Sequence, residues 1–205
     1  YAADFKIGLS KDLKILAYEV THFQNAGAAA DLSPAVMERT LFHSTNAYFV
    51  PNVSAKAYSC KTNLPPNTAF RGFGGPQGKF VIEAAIVKAA ESLGISPATI
   101  QKKNLVVDGD ELPYGQILQQ TNAHASWDAC MTAYDYEAQK QRVADFNKNN
   151  TRYKKGLAVQ PICFGISFTN TMMNHARALV HIYHDGSVVV STGAVEMGQG
   201  VNTKM

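Results

Sequence analysis

The sequence predicts an α+β fold built from mixed helices and antiparallel strands. Residues with helical apolar spacing cluster in the middle of the chain, and β-branched and aromatic runs lie towards both ends. Asp185-Gly186 separates two β-branched runs, which is a strong hairpin signal. The regular strand–helix alternation of a parallel α/β sheet does not appear, and neither does an internal repeat.

Taken in order, residues 15–21 partly alternate and read as a strand, with a loop over 24–30. Ser33 and Pro34 pair a cap with a first-turn proline, opening a helix to about residue 45. Val36, Arg39 and His43 share one face of that helix. The stretch 47–60 is rich in Tyr, Phe and Val and is broken at Pro51-Asn52, so it reads as two short strands. A glycine loop over 72–78 leads into a helix over 77–93 that Gly94 ends. Ser96-Pro97 starts another helix, with Ile95 and Ile100 spaced to close over the cap. Residues 109–115 read as loop. Ser126 is expected to cap a long helix to about residue 147, with Trp127, Cys130, Met131, Tyr134 and Ala138 as its apolar stripe and Cys130 in the core. Strands are expected near 156–163 and 177–184, with 180–184 pairing with 187–191. The expected organisation is one incomplete catalytic domain over 1–205, with a sub-lobe boundary near 147–155.

Composition narrows the function. The 205 residues carry 19 Lys plus Arg and 16 Asp plus Glu, a formal charge of +3, without a basic run that would grip nucleic acid. Charged residues are 17% of the chain against about 25% in a typical soluble domain. With 46% hydrophobic residues, this predicts surface buried against other protein. No run of 18 apolar residues exists, so no membrane span is expected. Three cysteines at wide spacing argue for a reducing compartment, hence the cytoplasm, and against a disulfide framework. The chain runs from Tyr1 to Met205 and stops directly after a glycine-rich segment, which predicts an internal piece of a larger protein.

Two glycine loops carry the chemistry. The first is Phe70-Arg71-Gly72-Phe73-Gly74-Gly75-Pro76-Gln77, where bare amides beside a helix N-terminus form a polar-ligand site. It is not a phosphate-binding P-loop, because Phe73 and Phe80 stand where that motif needs Gly and Ser or Thr. Nor is it a dinucleotide fingerprint, because Gln77 replaces the third glycine. The second is Glu196-Met197-Gly198-Gln199-Gly200, whose Gln199 can offer an amide to the edge of a heteroaromatic ring. Cys and His spacings match no metal site, and no G-x-S-x-G elbow is present. A plain tight turn would account for either loop on glycine content alone; Arg71 and Phe73 are what such a turn does not need.

The run Cys60-Lys61-Thr62-Asn63-Leu64-Pro65-Pro66-Asn67-Thr68-Ala69-Phe70-Arg71-Gly72-Phe73-Gly74-Gly75-Pro76-Gln77 closely resembles a signature of the xanthine dehydrogenase and xanthine oxidase family. Phe164-Gly165-Ile166-Ser167-Phe168-Thr169 and Glu196-Met197-Gly198-Gln199-Gly200-Val201-Asn202-Thr203-Lys204-Met205 resemble two more, in the expected order, and Met37-Glu38-Arg39 and Asp185-Gly186-Ser187 extend the likeness. The resemblance implies part of the molybdopterin-binding domain of a molybdenum hydroxylase. Such an enzyme oxidises hypoxanthine and xanthine to urate with oxygen from water, and its electrons leave through [2Fe-2S] clusters and FAD on partner domains or subunits. It also implies an oligomeric full enzyme, with an aldehyde-oxidising member or an assembly piece inactive alone as alternatives.

By the same resemblance, Arg39 binds substrate and stabilises charge developing on the ring, and with Arg71 forms the catalytic pair. Phe73 and Phe168 enclose the flat substrate, with Thr169 as a hydrogen-bonding neighbour. Phe70, Arg71, Met197, Gly198 and Gln199 contact the cofactor, and Arg71 reaches the molybdenum's surroundings through its backbone without a side-chain ligand. The family's general base is expected outside these residues, and Glu196 reads as structural. A fixed guanidinium suits the purine reading, because nucleophilic addition pushes negative charge onto distant ring atoms.

Overall fold

The computed structural model describes residues 1–165 and 167–205; Ile166, inside one of the expected signatures, lies outside the described residues. The chain divides into two compact units, Tyr1–Phe164 and Gly165–Met205.

The first unit is built on a three-stranded sheet of order β1-β2-β3, from β1 (Ala2–Leu9), β2 (Ile15–Gly27) and β3 (Val53–Lys61). β1 and β2 are antiparallel, whereas β2 and β3 run parallel with Val20 opposite Ala55. Strict alternation sets the buried face: Ala3, Phe5, Ile7 and Leu9 turn inward on β1, and Tyr18, Val20, His22 and Gln24 on β2. The crossover between the parallel strands carries α1 (Ser33–Phe42), which packs against β2, β3 and α2.

α2 (Gly75–Leu93) supplies much of the core. Its Ile82, Ala85, Ile86 and Ala90 are fully buried, together with Ile100 of α3 (Pro97–Asn104). Gly94 ends α2 in the left-handed region, and the Ile95 N–H donates to Ala90 O at 3.0 Å, as a helix closed by a glycine should. Ser96 caps α3 by position, without a side-chain bond, while Ile95 and Ile100 both join the core.

Several expected elements are corrected. The long helix from Ser126 is two helices, α4 (Ala123–Ala133) and α5 (Tyr136–Asn149). Asp135 sits between them at φ 44° and accepts from the Ala138 N–H at 3.4 Å, starting α5 afresh. Ser126 lies inside α4, so the stripe does not continue. Trp127 is buried, but Cys130 is exposed and not core, and Tyr134 is exposed too. Ser33 begins α1, but its buried hydroxyl bonds no partner among the described residues, and Leu32 holds the cap position. Residues 47–60 give one strand, β3; ahead of it Tyr48 forms only an isolated bridge to Leu105. No strand forms over 156–163, where the backbone instead bonds to side chains. β1 was not expected at all.

The second unit contains a short 3₁₀ turn, Thr171–Met173, and the hairpin β4 (Ala178–Ile182) and β5 (Val188–Thr192). The hairpin forms across Asp185-Gly186, with Gly186 at φ 84°, but its register sets Val180 against Val190 and Ile182 against Val188, one residue off the expected pairing of 180–184 with 187–191. A last short helix, α6 (Val201–Lys204), follows the second glycine loop. Among the described residues no helix is long and apolar enough to cross a membrane.

Candidate functional site

The first glycine loop is a backbone device. Gly72, Phe73 and Gly74 all have positive φ, at 97°, 51° and 96°. Left-handed backbone is cheap for glycine and costly for a bulky residue, so Phe73 is held there by its surroundings. The Phe73 N–H donates to Phe70 O at 2.8 Å and the Gly75 N–H to Gly72 O at 3.0 Å, closing the turn onto the start of α2. Phe70 is 84% exposed and Arg71 is exposed, while Phe73 is half-buried.

The absence of side chains also lets α1 and α2 touch. A Cβ at Gly74 would collide with Val36 O, and one at Gly78 would lie 2.5 Å from Thr40 O. The Thr40 hydroxyl lies 3.0 Å from both Val36 O and Gly74 O, joining the two helices. Val36, Arg39 and His43 are all buried on the shared face that their spacing predicts.

Arg39, only 6% exposed, brings its guanidinium 5.3 Å from the centroid of the Phe164 ring. Two further groups meet the same ring. Lys79 Nζ lies 4.6 Å from its centroid and the His43 ring 5.0 Å away. His43 Nδ1 is 3.0 Å from Arg39 O, which ties the ring to α1. Burial pushes the pKa of Arg39, Lys79 and His43 down from their ordinary values. It pushes the neighbouring Cys163 thiol up, against the pull of Lys79.

Phe164 ends a strap that the core holds by side chains. Glu83 on α2 accepts from Asn46 Nδ2 at 2.9 Å, Tyr48 Oη at 2.7 Å and Gln101 Nε2 at 2.7 Å. The same two amides reach onward: Asn46 donates to Pro161 O at 2.8 Å and accepts from the Cys163 N–H, and Gln101 donates to Val159 O. Burial raises the pKa of Glu83, and its three donors act in the opposite direction.

In the second unit, the Phe168 N–H donates to Asn174 Oδ1 at 2.8 Å, and its carbonyl accepts from Asn174 Nδ2 at 3.1 Å. Phe168 and Thr169 are half-buried. In the second glycine loop, the Glu196 carboxylate accepts from the N–H groups of Gly198, Gly200 and Val201, so its structural reading agrees with the geometry. Those backbone bonds also hold its pKa below the usual carboxylate value, although desolvation works against them. Gln199 folds back on its own loop, accepting from the Met197 N–H and donating to Val195 O. Gly198 and Gly200 have φ of 91° and 77°, and Met197 is 60% exposed.

Arg39 therefore stands beside Phe164, and Phe70, Arg71 and Phe73 share one loop in the first unit; Phe168, Thr169, Met197, Gly198 and Gln199 belong to the second. Sequence reasoning missed Lys79, Glu83 and Asn46. The signal for Lys79 was present, because 75, 78, 79, 82 and 86 follow the helical period of the buried face of α2.

Comparison with known proteins agrees with this architecture. A molybdopterin cofactor-binding domain model matches residues 1–105, and a second of the same description matches residues 129–205. The chain is 44% identical over 205 residues to a xanthine dehydrogenase/oxidase of Mus musculus and 42% identical over 205 residues to an aldehyde oxidase of Homo sapiens. All of this chain is covered in both comparisons, and it spans 15% of each relative's length. The crystal structure of the aldehyde oxidoreductase from Desulfovibrio desulfuricans superposes with a TM-score of 0.71 at 24% identity, covering 92% of this chain and 20% of that one. A mixed α+β framework, two glycine loops and these matches lead to one family: the chain belongs to the molybdopterin cofactor-binding domains, and along its whole length it is similar to a stretch of xanthine dehydrogenases and aldehyde oxidases.

Proposed function

We propose that residues 1–205 form an incomplete catalytic domain of a molybdenum hydroxylase that oxidises hypoxanthine and xanthine to urate, with water supplying the oxygen. The observation that carries this reading is Arg39, a buried arginine beside an aromatic ring. A purine under attack spreads negative charge over its far ring atoms, and a fixed guanidinium at that end stabilises it more than water would.

The residues present fit molybdopterin. Phe70 and Met197 offer exposed apolar surface, and the left-handed glycines bare the backbone beside Arg71 and Gln199 for contact with a large heterocycle. In this reading Phe70, Arg71, Met197, Gly198 and Gln199 hold the cofactor, which supplies the redox chemistry of the molybdenum. Arg39 binds and polarises the purine, Phe73 and Phe168 enclose its faces, and Thr169 offers it a hydrogen bond. Arg71, through its backbone, keeps the loop against the metal's surroundings. Iron–sulfur and FAD centres on partner domains or subunits of a cytoplasmic, oligomeric enzyme would take up the electrons.

Oxidation of aldehydes is the second reading, favoured by the 42% identity to the human aldehyde oxidase. Arg39→Met in the full enzyme separates the two. An aldehyde keeps its developing charge beside the metal and makes no use of a distant cation. The purine reading expects kcat/KM for xanthine to fall by about 10²-fold, the scale of losing one preorganised donor, while an aromatic aldehyde loses much less. Equal loss for both substrates would remove the support Arg39 gives to purines.

A further inference from the structure

Residues 159–164 form a strap outside any sheet, and Val159, Pro161 and Cys163 are its less exposed positions. Side chains, rather than a neighbouring strand, meet them. The amide of buried Asn46 donates from Nδ2 to Pro161 O at 2.8 Å and accepts from the Cys163 N–H at 3.2 Å. A residue of a parallel strand bonds its neighbour in the same way, to the carbonyl before the facing residue and the N–H after it. Asn46 therefore imitates one strand residue opposite Ile162. Pro161, which has no N–H, leaves no donor unmet on that side.

The amide is itself held in one orientation. Its Nδ2 also donates to Glu83 Oε1 at 2.9 Å, so a turned-over amide would set oxygen against two acceptors. Gln101 repeats the device, donating to Glu83 Oε2 at 2.7 Å and to Val159 O at 2.9 Å. Asn46 sits at φ 50°, a left-handed backbone that Asn adopts more readily than most residues. Phe164 follows Cys163 directly, and its ring centroid lies 5.3 Å from the Arg39 guanidinium and 5.0 Å from the His43 ring. The clamp thus ends one residue short of the ring that flanks Arg39.

We propose that Asn46 is a positioning residue: by clamping the strap it holds the Phe164 ring against Arg39, and so sets the preference for purines over aldehydes. The proposal rests on the reading of Arg39 as the purine-binding group. A loosened strap frees the ring to leave Arg39, and misplacing a binding group by about 1 Å can cost on the order of 10²-fold in rate.

The test uses the full-length enzyme, with rates taken per bound molybdenum. Asn46→Gly removes the clamp at a position whose φ suits glycine. Its kcat/KM for xanthine should fall at least about tenfold, and that for an aromatic aldehyde by less than about twofold. Hydrogen exchange in the peptide carrying Cys163 should quicken at least about tenfold. Asn46→Asp, which tolerates the same backbone and loses both donated bonds, should move both readouts the same way, and it decides the matter if Asn46→Gly does not fold. Tyr48→Phe is the structural control. It takes a donor from Glu83 without touching the strap, so the ratio of the two substrates should stay within about twofold of the wild type. Equal loss on both substrates, a ratio shifted as far by Tyr48→Phe, or unchanged exchange at Cys163 overturns the proposal. A wild type that does not oxidise xanthine sinks the purine reading and the proposal with it; xanthine oxidation with an unaltered ratio in both Asn46 variants sinks the proposal alone.

Discussion

Phe164 occupies the space that a side chain on Gly75 would need, since a Cβ there would lie 2.5 Å from Cε2 of the ring. The obstacle is the edge of a movable ring rather than backbone. Gly75→Ala should therefore shift Tm by less than about 3 °C while moving Phe164 off Arg39 and Lys79. Gly74→Ala differs, because its φ is 96° and its Cβ would meet the Val36 carbonyl. That variant should cost about 2–4 kcal/mol, combining left-handed strain with overpacking. Thermal unfolding of both variants checks the contrast, and equal losses would contradict it.

Glu83→Gln should destabilise the first unit by about 1–3 kcal/mol, the cost of leaving a buried donor unmatched. Three donors converge on two carboxylate oxygens, and an amide can present only one oxygen to them. Amide exchange at Cys163, whose N–H donates to Asn46, should quicken before the sheet amides do. Unchanged exchange there would mean the strap is held by other contacts.

His22 makes stability depend on pH. It is fully buried, its Nε2 lies 3.3 Å from Ser44 Oγ, and its Nδ1 has no partner among the described residues. Burial lowers its pKa from 6.5, so below that pH the unfolded chain binds the proton more readily than the folded one. Stability should be undiminished above 6.5 and fall as pH drops below it. His22→Gln should flatten that slope in denaturant titrations at pH 7, 6 and 5; an unaltered slope would assign the effect to other groups such as His43.

On the proposed function, Phe168→Ala in the full enzyme should weaken purine binding and leave molybdenum content near that of the wild type. Aromatic stacking is worth roughly 0.5–1.5 kcal/mol beyond buried area, so KM should rise by roughly 2- to 12-fold. Steady-state kinetics with metal analysis decides it: unchanged kinetics would return Phe168 to a packing role.

Local chemistry was the part of the fold most legible in the sequence. Pro34, Pro97, Gly94 and Asp185-Gly186 act within a few residues of themselves, and the helices and hairpin they announce are present. β1 was legible too, in the alternation of Ala3, Phe5, Ile7 and Leu9, and went unread. The parallel pairing of β2 and β3 was not legible, because register between distant segments depends on the crossover rather than on either strand. The break at Asp135 escaped because apolar spacing continues across it while the backbone changes hand for one residue. At the site, helical spacing put Arg39 on a buried face. The strap of 159–163 could not be read, since its backbone bonds go to Asn46 and Gln101, side chains far away in sequence.

The crossover position of α1 sets an order of events during folding. Parallel strands cannot be joined by a tight turn, so β2 must wait for β3, some 26 residues beyond its end, before the pair can zip together. Arg39 rides on the intervening helix, and its neighbours Lys79 and Phe164 come from still later in the chain. The surroundings of Arg39 therefore form among the slow, non-local contacts, after the local helices and the β1–β2 pair. A nascent chain can thus be largely structured while Arg39 still lacks its ring and its neighbours on α2, and whatever binds only the completed crossover would draw the chain towards it.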